Sequence, residues 1–229
     1  MIRTAITAAP RETMYLSHVV QSHFDSDNHD PCPLVSMEPR TPGFSGMSRC
    51  EIVRHDTTEG IVDHWLKVLR ILFIKEENHW GVILQDDAHL CHDVYTWLGE
   101  LIGRLEHPIG CISLFCSEYN KRKALRIVNG WIEEDFHLCS LCGAVGVCLP
   151  DYTARAILNN EDKFKEMMLG NGRGLDTCIS KFCHGLKNYI AYPSLINHIG
   201  DVSTSKLVNA AKRKRTQTTS FIVNRMTAR

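Results

Sequence analysis

Residues 80–90 read Trp80-Gly81-Val82-Ile83-Leu84-Gln85-Asp86-Asp87-Ala88-His89-Leu90. The first five carry no polar side chain apart from the indole N–H, and they lack the alternation of a half-buried strand. They predict a short strand covered on both faces, as in a parallel sheet between layers of helices. In an open sheet of that kind, ligands gather beyond the carboxyl ends of the strands. Asp86 and Asp87 fall there. Two adjacent ionised carboxylates repel each other, so the pair needs a cation or strong donors nearby. Mg2+ and Mn2+ prefer oxygen ligands and readily bridge a diphosphate, which makes a divalent metal the natural partner. The plainer alternative is a surface turn in which water solvates both groups.

Outward from this strand the chain alternates between strand-like and helix-like patterns. Thr4 to Ala9 is a β-prone stretch ending at Pro10, and Tyr15, Leu16, Val19, Val20 and His23 then recur at helical spacing within residues 12–23. Cys32 to Met37 reads as a second strand, and the Pro-, Gly- and Ser-rich residues 38–50 read as a loop. Ile61, Trp65, Leu69, Leu72 and Phe73 mark an amphipathic helix that Thr57 or Thr58 would cap. A helix near 92–105 and a strand over Cys111 to Cys116 complete the alternation. It predicts an α/β fold, with a mainly parallel sheet flanked by helices. The second half is less regular. Strands are expected near 126–133, 144–149 and 189–192, with helices near 151–158, 161–169 and 175–184. No internal repeat is visible, and the polar C-terminal stretch carries the basic run Lys212-Arg213-Lys214-Arg215.

Composition bounds the reading. The 229 residues are enough for one domain with a sizeable core, and 44% hydrophobic with 23% charged residues is ordinary for a soluble globular protein. Lys plus Arg equals Asp plus Glu at 26 each, so no global basic field argues for nucleic acid. Arg3, Arg11 and Glu12 interrupt what would be the apolar core of a secretory leader. No run approaches the ~20 apolar residues that a membrane span needs. Ten cysteines are scattered through apolar segments, as expected for reduced thiols in a cytoplasmic protein.

Three further segments carry groups able to join the carboxylate pair. Residues 170–176, GNGRGLD, place Asp176 at the first turn of a helix, where it either faces a pocket or caps the helix. Residues 193–201, PSLINHIGD, follow a strand and set His198 and Asp201 beside Gly200. A histidine there serves as a metal ligand or as a satisfied structural group. Residues 142–146, CGAVG, allow either close backbone approach to a ligand or tight packing.

In this order, ITAAPRETMYL (6–16), WGVILQDDAHL (80–90), CGAVGVCLP (142–150), GRGLDTCIS (172–180) and PSLINHIGDVST (193–204) resemble the GT-A glycosyltransferase superfamily, more narrowly its short bacteriophage and bacterial members. The resemblance covers most of the chain apart from about 25–50 and 117–135. It implies a Rossmann-like GT-A domain over 1–229, with a nucleotide-sugar half (1–116), an acceptor and catalytic half (117–205) and a basic tail (206–229). It further implies a UDP-sugar donor and a Mn2+ or Mg2+ cofactor. Gln85-Asp86-Asp87 falls on the DxD-type motif without a strict D-x-D spacing, with Asp87 favoured as metal ligand and Asp86 as nucleotide contact. His198 matches the C-terminal histidine of the metal shell. Asp176 matches the catalytic base of inverting members, although Leu175 stands where the family has a preceding glutamate. Gly143 matches the glycine loop near donor and acceptor. Ala8, Pro10 and Arg11 lie where the first strand meets the nucleotide, Met37 and Glu38 near base or ribose, and Lys212 in a tail able to close over phosphates.

Two questions compete with or follow from that reading. Cys139-Ser140-Leu141-Cys142 has C-x2-C spacing, and Cys178, Cys183 and His184 could complete a structural zinc site, but there is no second C-x2-C. The acceptor suggested by short phage enzymes is a hydroxymethylated pyrimidine in DNA, which the chain would reach unstacked. Arg122, Lys123, Arg126 and the basic tail would contact phosphates. A bacterial surface glycan is the alternative acceptor.

Overall fold

The computed structural model describes residues 2–27, 30–74, 80–117, 120, 126–128, 130–133, 143–169 and 174–200. Strands β1 (Ile2–Ala8), β2 (Leu34–Met37), β3 (Glu51–Arg54) and β4 (Trp80–Gln85) lie parallel in the order β3-β2-β1-β4. Next comes β9 (Gly146–Pro150), antiparallel to β4 and to β6 (Ile109–Ser113). Beyond β6 lies β10 (Lys187–Tyr192), parallel to it, and then the antiparallel pair β8 (Gly130–Glu133) and β7 (Arg126–Val128). Of the nine strands, only β8 and β9 oppose the rest, so the sheet is mainly parallel in direction. A separate two-stranded ladder joins β5 (Ala88–Leu90) to β11 (Ile196–His198).

Helices cover both faces. The side chains of Val82 and Leu84 enter one apolar cluster with Leu16, Val19 and Val20 of α1 (Leu16–Asp25) and Val94, Leu98 and Leu101 of α3 (Val94–Ile102). Ile83, between them, enters the other cluster with Trp65, Leu69 and Phe73 of α2 (Ile61–Ile74). That second layer also takes in Ala154 and Ile157 of α4 (Asp151–Asn159), Phe164 of α5 (Glu161–Leu169) and Cys178 and Ile179 of α6 (Leu175–Phe182). Alternate residues of one strand therefore feed two cores, which is why the apolar run of β4 has no polar face. Among the described residues no helix is long and apolar enough to cross a membrane.

The differences from expectation have local causes. The first helix begins at Leu16 rather than near residue 12, because the chain bends at residues 12–13 before it. Edge strand β3 holds two apolar residues between Glu51 and Arg54, too short a pattern to stand out from the preceding loop. Residues 126–133 hold two strands, Arg126–Val128 and Gly130–Glu133, that pair antiparallel with each other, rather than one. The ladder of β5 and β11 has three residues on each side and no periodicity to read.

Candidate active site

The centre of the site is the turn between β4 and β5. Because β5 pairs with β11 in a register that sets His198 against Ala88, His198 Nε2 comes within 3.0 Å of Asp87 Oδ2. The Ile199 N–H donates to the Asp87 carbonyl at 2.9 Å. A Cβ at Gly200 would stand 2.2 Å from Asp87 Oδ2, so only glycine lets residues 198–200 wrap this carboxylate. Residues 111 positions apart are thus joined by three residues of strand pairing.

From the end of β1 comes the cation that the acidic pair requires. Arg11 Nε donates to Asp86 Oδ2 at 3.1 Å, Nη2 lies 2.5 Å from Asp86 Oδ1, and Nη1 donates to Asp87 Oδ2 at 2.7 Å. The Ala9 N–H also approaches Asp86 Oδ2, at 3.4 Å. Asp86 and Asp87 are only 1% and 2% exposed. Burial pushes the Asp86 carboxyl up to about 6, with Asp87 adding to the rise and Arg11 opposing it. For Asp87 burial acts in the same upward sense, but the His198 hydrogen bond and charge and Arg11 outweigh it and hold the group below the usual carboxylate range. The guanidinium loses solvation on burial, yet the two carboxylates raise its pKa above the ordinary value.

Asp87 Oδ1 is buried and has no hydrogen-bond partner among the described residues. Among the described residues no group of three or more His, Cys, Asp or Glu side chains is arranged to hold a metal. The donor set here is the pair Asp87 and His198 with one orphaned oxygen. It fits a cation that draws the rest of its shell from diphosphate oxygens and water, the usual habit of Mg2+ at nucleotide sites.

A second carboxylate stands nearby along a run of contacts. Asp176, in the first turn of α6, accepts the Gly143 N–H at 3.1 Å through Oδ2. Gly143 has φ of +91°, a conformation that favours glycine, and packs towards the Phe115 ring. That ring meets His198 edge-on, with centroids 6.3 Å apart. On the other side, Ala8 accepts the Glu38 N–H at 2.9 Å, so buried Glu38 sits one strand from Arg11 at the same sheet edge. Met37 is buried and Pro10 exposed. Lys212, Asp201, Cys139 and Cys142 lie outside the described residues, and Cys178 and Cys183 are buried in the apolar core.

Sequence reasoning placed Arg11 where the first strand meets the nucleotide, but it did not foresee that three of its N–H groups are engaged by the carboxylate pair. It also passed over Ser36 of β2, His55 just after β3 and His64 of α2, whose hydrogen-bonded cluster has no signal in spacing.

A mixed sheet with a parallel β3-β2-β1-β4 half, helices on both faces and an acidic turn after β4 make this a GT-A-like fold. Two solved structures share it. One is described as GalNAc-T7 with UDP, GalNAc and Mn2+; its TM-score is 0.54 at 10% identity, over 88% of this chain and 44% of that one. The other is S. aureus TarS 1-349, with a TM-score of 0.51 at 10% identity, over 82% of this chain and 57% of that one. This chain thus spans about half the length of each, and the likeness is one of fold. No protein-family model matches the chain, and no curated protein matches it.

Proposed function

We propose that the chain is a metal-dependent glycosyltransferase that moves a sugar from a nucleoside diphosphate donor, UDP foremost, to an acceptor hydroxyl. The observation that carries the reading is the meeting of Asp87 and His198 at 3.0 Å, with Asp87 Oδ1 buried and unpartnered among the described residues, at the carboxyl edge of a GT-A-like sheet. A structure of the same fold holds UDP and Mn2+, which supports the choice of donor and ion. Asp87 and His198 would hold Mn2+ or Mg2+, which when bound supplies Lewis-acid stabilisation to the departing diphosphate.

The chain's own residues account for the rest. Arg11 has five N–H groups, and three engaged with carboxylates leave two for a phosphate. Asp86 fixes the guanidinium in one orientation, and Ala8 and Pro10 lie on the stretch of chain that leads to it. Asp176, steadied by the Gly143 N–H, takes the proton of the acceptor hydroxyl. The hydroxyl oxygen bonds to the anomeric carbon as the bond to the diphosphate oxygen breaks. General-base help of this kind is typically worth ~10²–10⁴ in rate. In-line attack inverts the anomeric centre. Lys212 belongs to the basic tail that would cover the phosphates.

Asp176→Asn is expected to spare UDP binding and to lower turnover by at least ~10²-fold; undiminished turnover would remove Asp176 as base. Asp87→Ala and His198→Ala should each weaken Mn2+-dependent UDP binding, measured by titration with and without the ion. For the acceptor we favour a hydroxymethylated pyrimidine in DNA, on the strength of the basic segments at 122–126 and 212–215. UDP release with hydroxymethyl DNA, unmodified DNA and a surface glycan as acceptors separates the readings. Equal rates on the two DNAs defeat the DNA acceptor.

A further inference from the structure

Ser36 of β2 is fully buried between two imidazoles, with Oγ 2.8 Å from His55 Nε2 and 2.9 Å from His64 Nε2. A hydroxyl has one proton, so it can donate to only one of the two rings, and the other must donate to it. The chain of hydrogen bonds therefore has a direction. His64 Nδ1 faces Glu38 Oε1 at 3.8 Å. If Ser36 donates to His64 Nε2, then His64 carries its proton on Nδ1 and points it at the carboxylate. The reverse direction would aim a lone pair at the same oxygen. That contact with His64 Nδ1 favours Glu38 as an acceptor.

Position gives this chain a use. Glu38 hydrogen-bonds Ala8 through its backbone, and the His55 N–H donates to the Met37 carbonyl at 2.9 Å. Glu38 and His55 therefore extend the carboxyl edge outward from the Arg11 cluster, along β2 and β3. A tenth of the Glu38 side chain remains exposed, the part open to a ligand. With the diphosphate at Arg11, the nucleoside would lie over Glu38.

We propose that Ser36, His55 and His64 are positioning residues that hold Glu38 as a hydrogen-bond acceptor for the nucleoside end of the donor. The inference rests on the reading that this edge binds a nucleoside diphosphate. The shared ligand chemistry is a single donor group, either a ribose hydroxyl or a base N–H.

The test is calorimetric titration of the full chain with UDP, 2′-deoxy-UDP and CDP. The wild type is expected to prefer UDP over 2′-deoxy-UDP if the ribose hydroxyl is read, or over CDP if the base N–H is read. His64→Leu should erase that preference and weaken UDP about tenfold, the scale of one charge-assisted hydrogen bond. Its turnover at saturating donor should stay within about twofold, since the change is in binding rather than chemistry. His64→Asn, whose amide can replace the Nδ1–H, should regain the preference. Ser36→Ala should weaken UDP by about threefold through loss of one neutral hydrogen bond. If His64→Leu fails to fold, Ser36→Ala decides alone. Folded variants with wild-type nucleotide ratios, or a wild type indifferent to all three nucleotides, overturn the positioning role while leaving glycosyl transfer standing. A wild type that binds none of them overturns the glycosyl-transfer reading together with this inference.

Discussion

Two buried polar clusters share one edge of the sheet and solve the same problem in opposite ways. At the ends of β1 and β4, Arg11, Asp86 and Asp87 keep full charges and compensate them by direct contact at 2.5–3.1 Å. At the ends of β2 and β3, Ser36 and His55 meet His64 of α2 and the three satisfy one another by hydrogen bonds, with burial opposing charge on His64. A charged cluster is costly to break and can trade partners with ions. A neutral chain is cheaper to bury and serves to fix geometry. On the proposed reading, the first cluster meets phosphate and metal, and the second orients what sits beside them.

The most severe way to break the comparison is Arg11→Met. It strands two buried carboxylates, and the loss in unfolding free energy at neutral pH is expected to be about 3–5 kcal/mol. Adding Asp86→Asn should recover part of that loss, and urea unfolding of the single and double variants measures both. A single variant as stable as wild type would mean that the carboxylates do not depend on this guanidinium.

The two clusters should also have opposite pH signatures. Burial, with repulsion from His55, lowers His64 from 6.5 to about 4. The unfolded chain then binds the proton more readily, so stability is present above the unfolded value and is lost as pH falls from 6.5 towards 4. Between pH 7 and 5 that amounts to roughly 2 kcal/mol. Asp86 is raised from 3.8 to about 6, so the folded chain binds its proton more readily and gains stability as pH falls through 6 towards 4. Over the same interval the gain is roughly 1 kcal/mol. The wild-type profile is therefore partly cancelled. Asp86→Asn should steepen the acid loss and His64→Asn should flatten or reverse it. Parallel profiles in all three proteins would refute the assignment.

The smallest effect sharpens the contrast further. A third of the His198 side chain is exposed, so His198→Ala should cost about 1 kcal/mol or less in stability, as partly exposed ion pairs do. Its effect on Mn2+-dependent UDP binding should be far larger. A variant that is badly destabilised instead would make His198 a structural group.

Much of the fold was legible before any coordinates. The apolar run of β4, the helical period of α2 and the placement of α4 and α5 follow from side-chain periodicity, which local sequence carries in full. The site was legible only in part. Asp87 and His198 could be nominated from their chain segments, but their contact depends on a three-residue ladder between β5 and β11 that is too short to leave a pattern. Gly200 could be seen as a glycine, but not as the residue whose missing Cβ makes room for Asp87.

By itself the sequence determined that β4 would be buried on both faces and would deliver two carboxylates to its carboxyl end, because strand burial and chain direction are local properties. Tertiary structure alone decided which cation meets that pair, and that two histidines share one serine. Those choices depend on the order β3-β2-β1-β4, in which neighbours in space come from separate stretches of chain. No spacing rule within one segment encodes such an order.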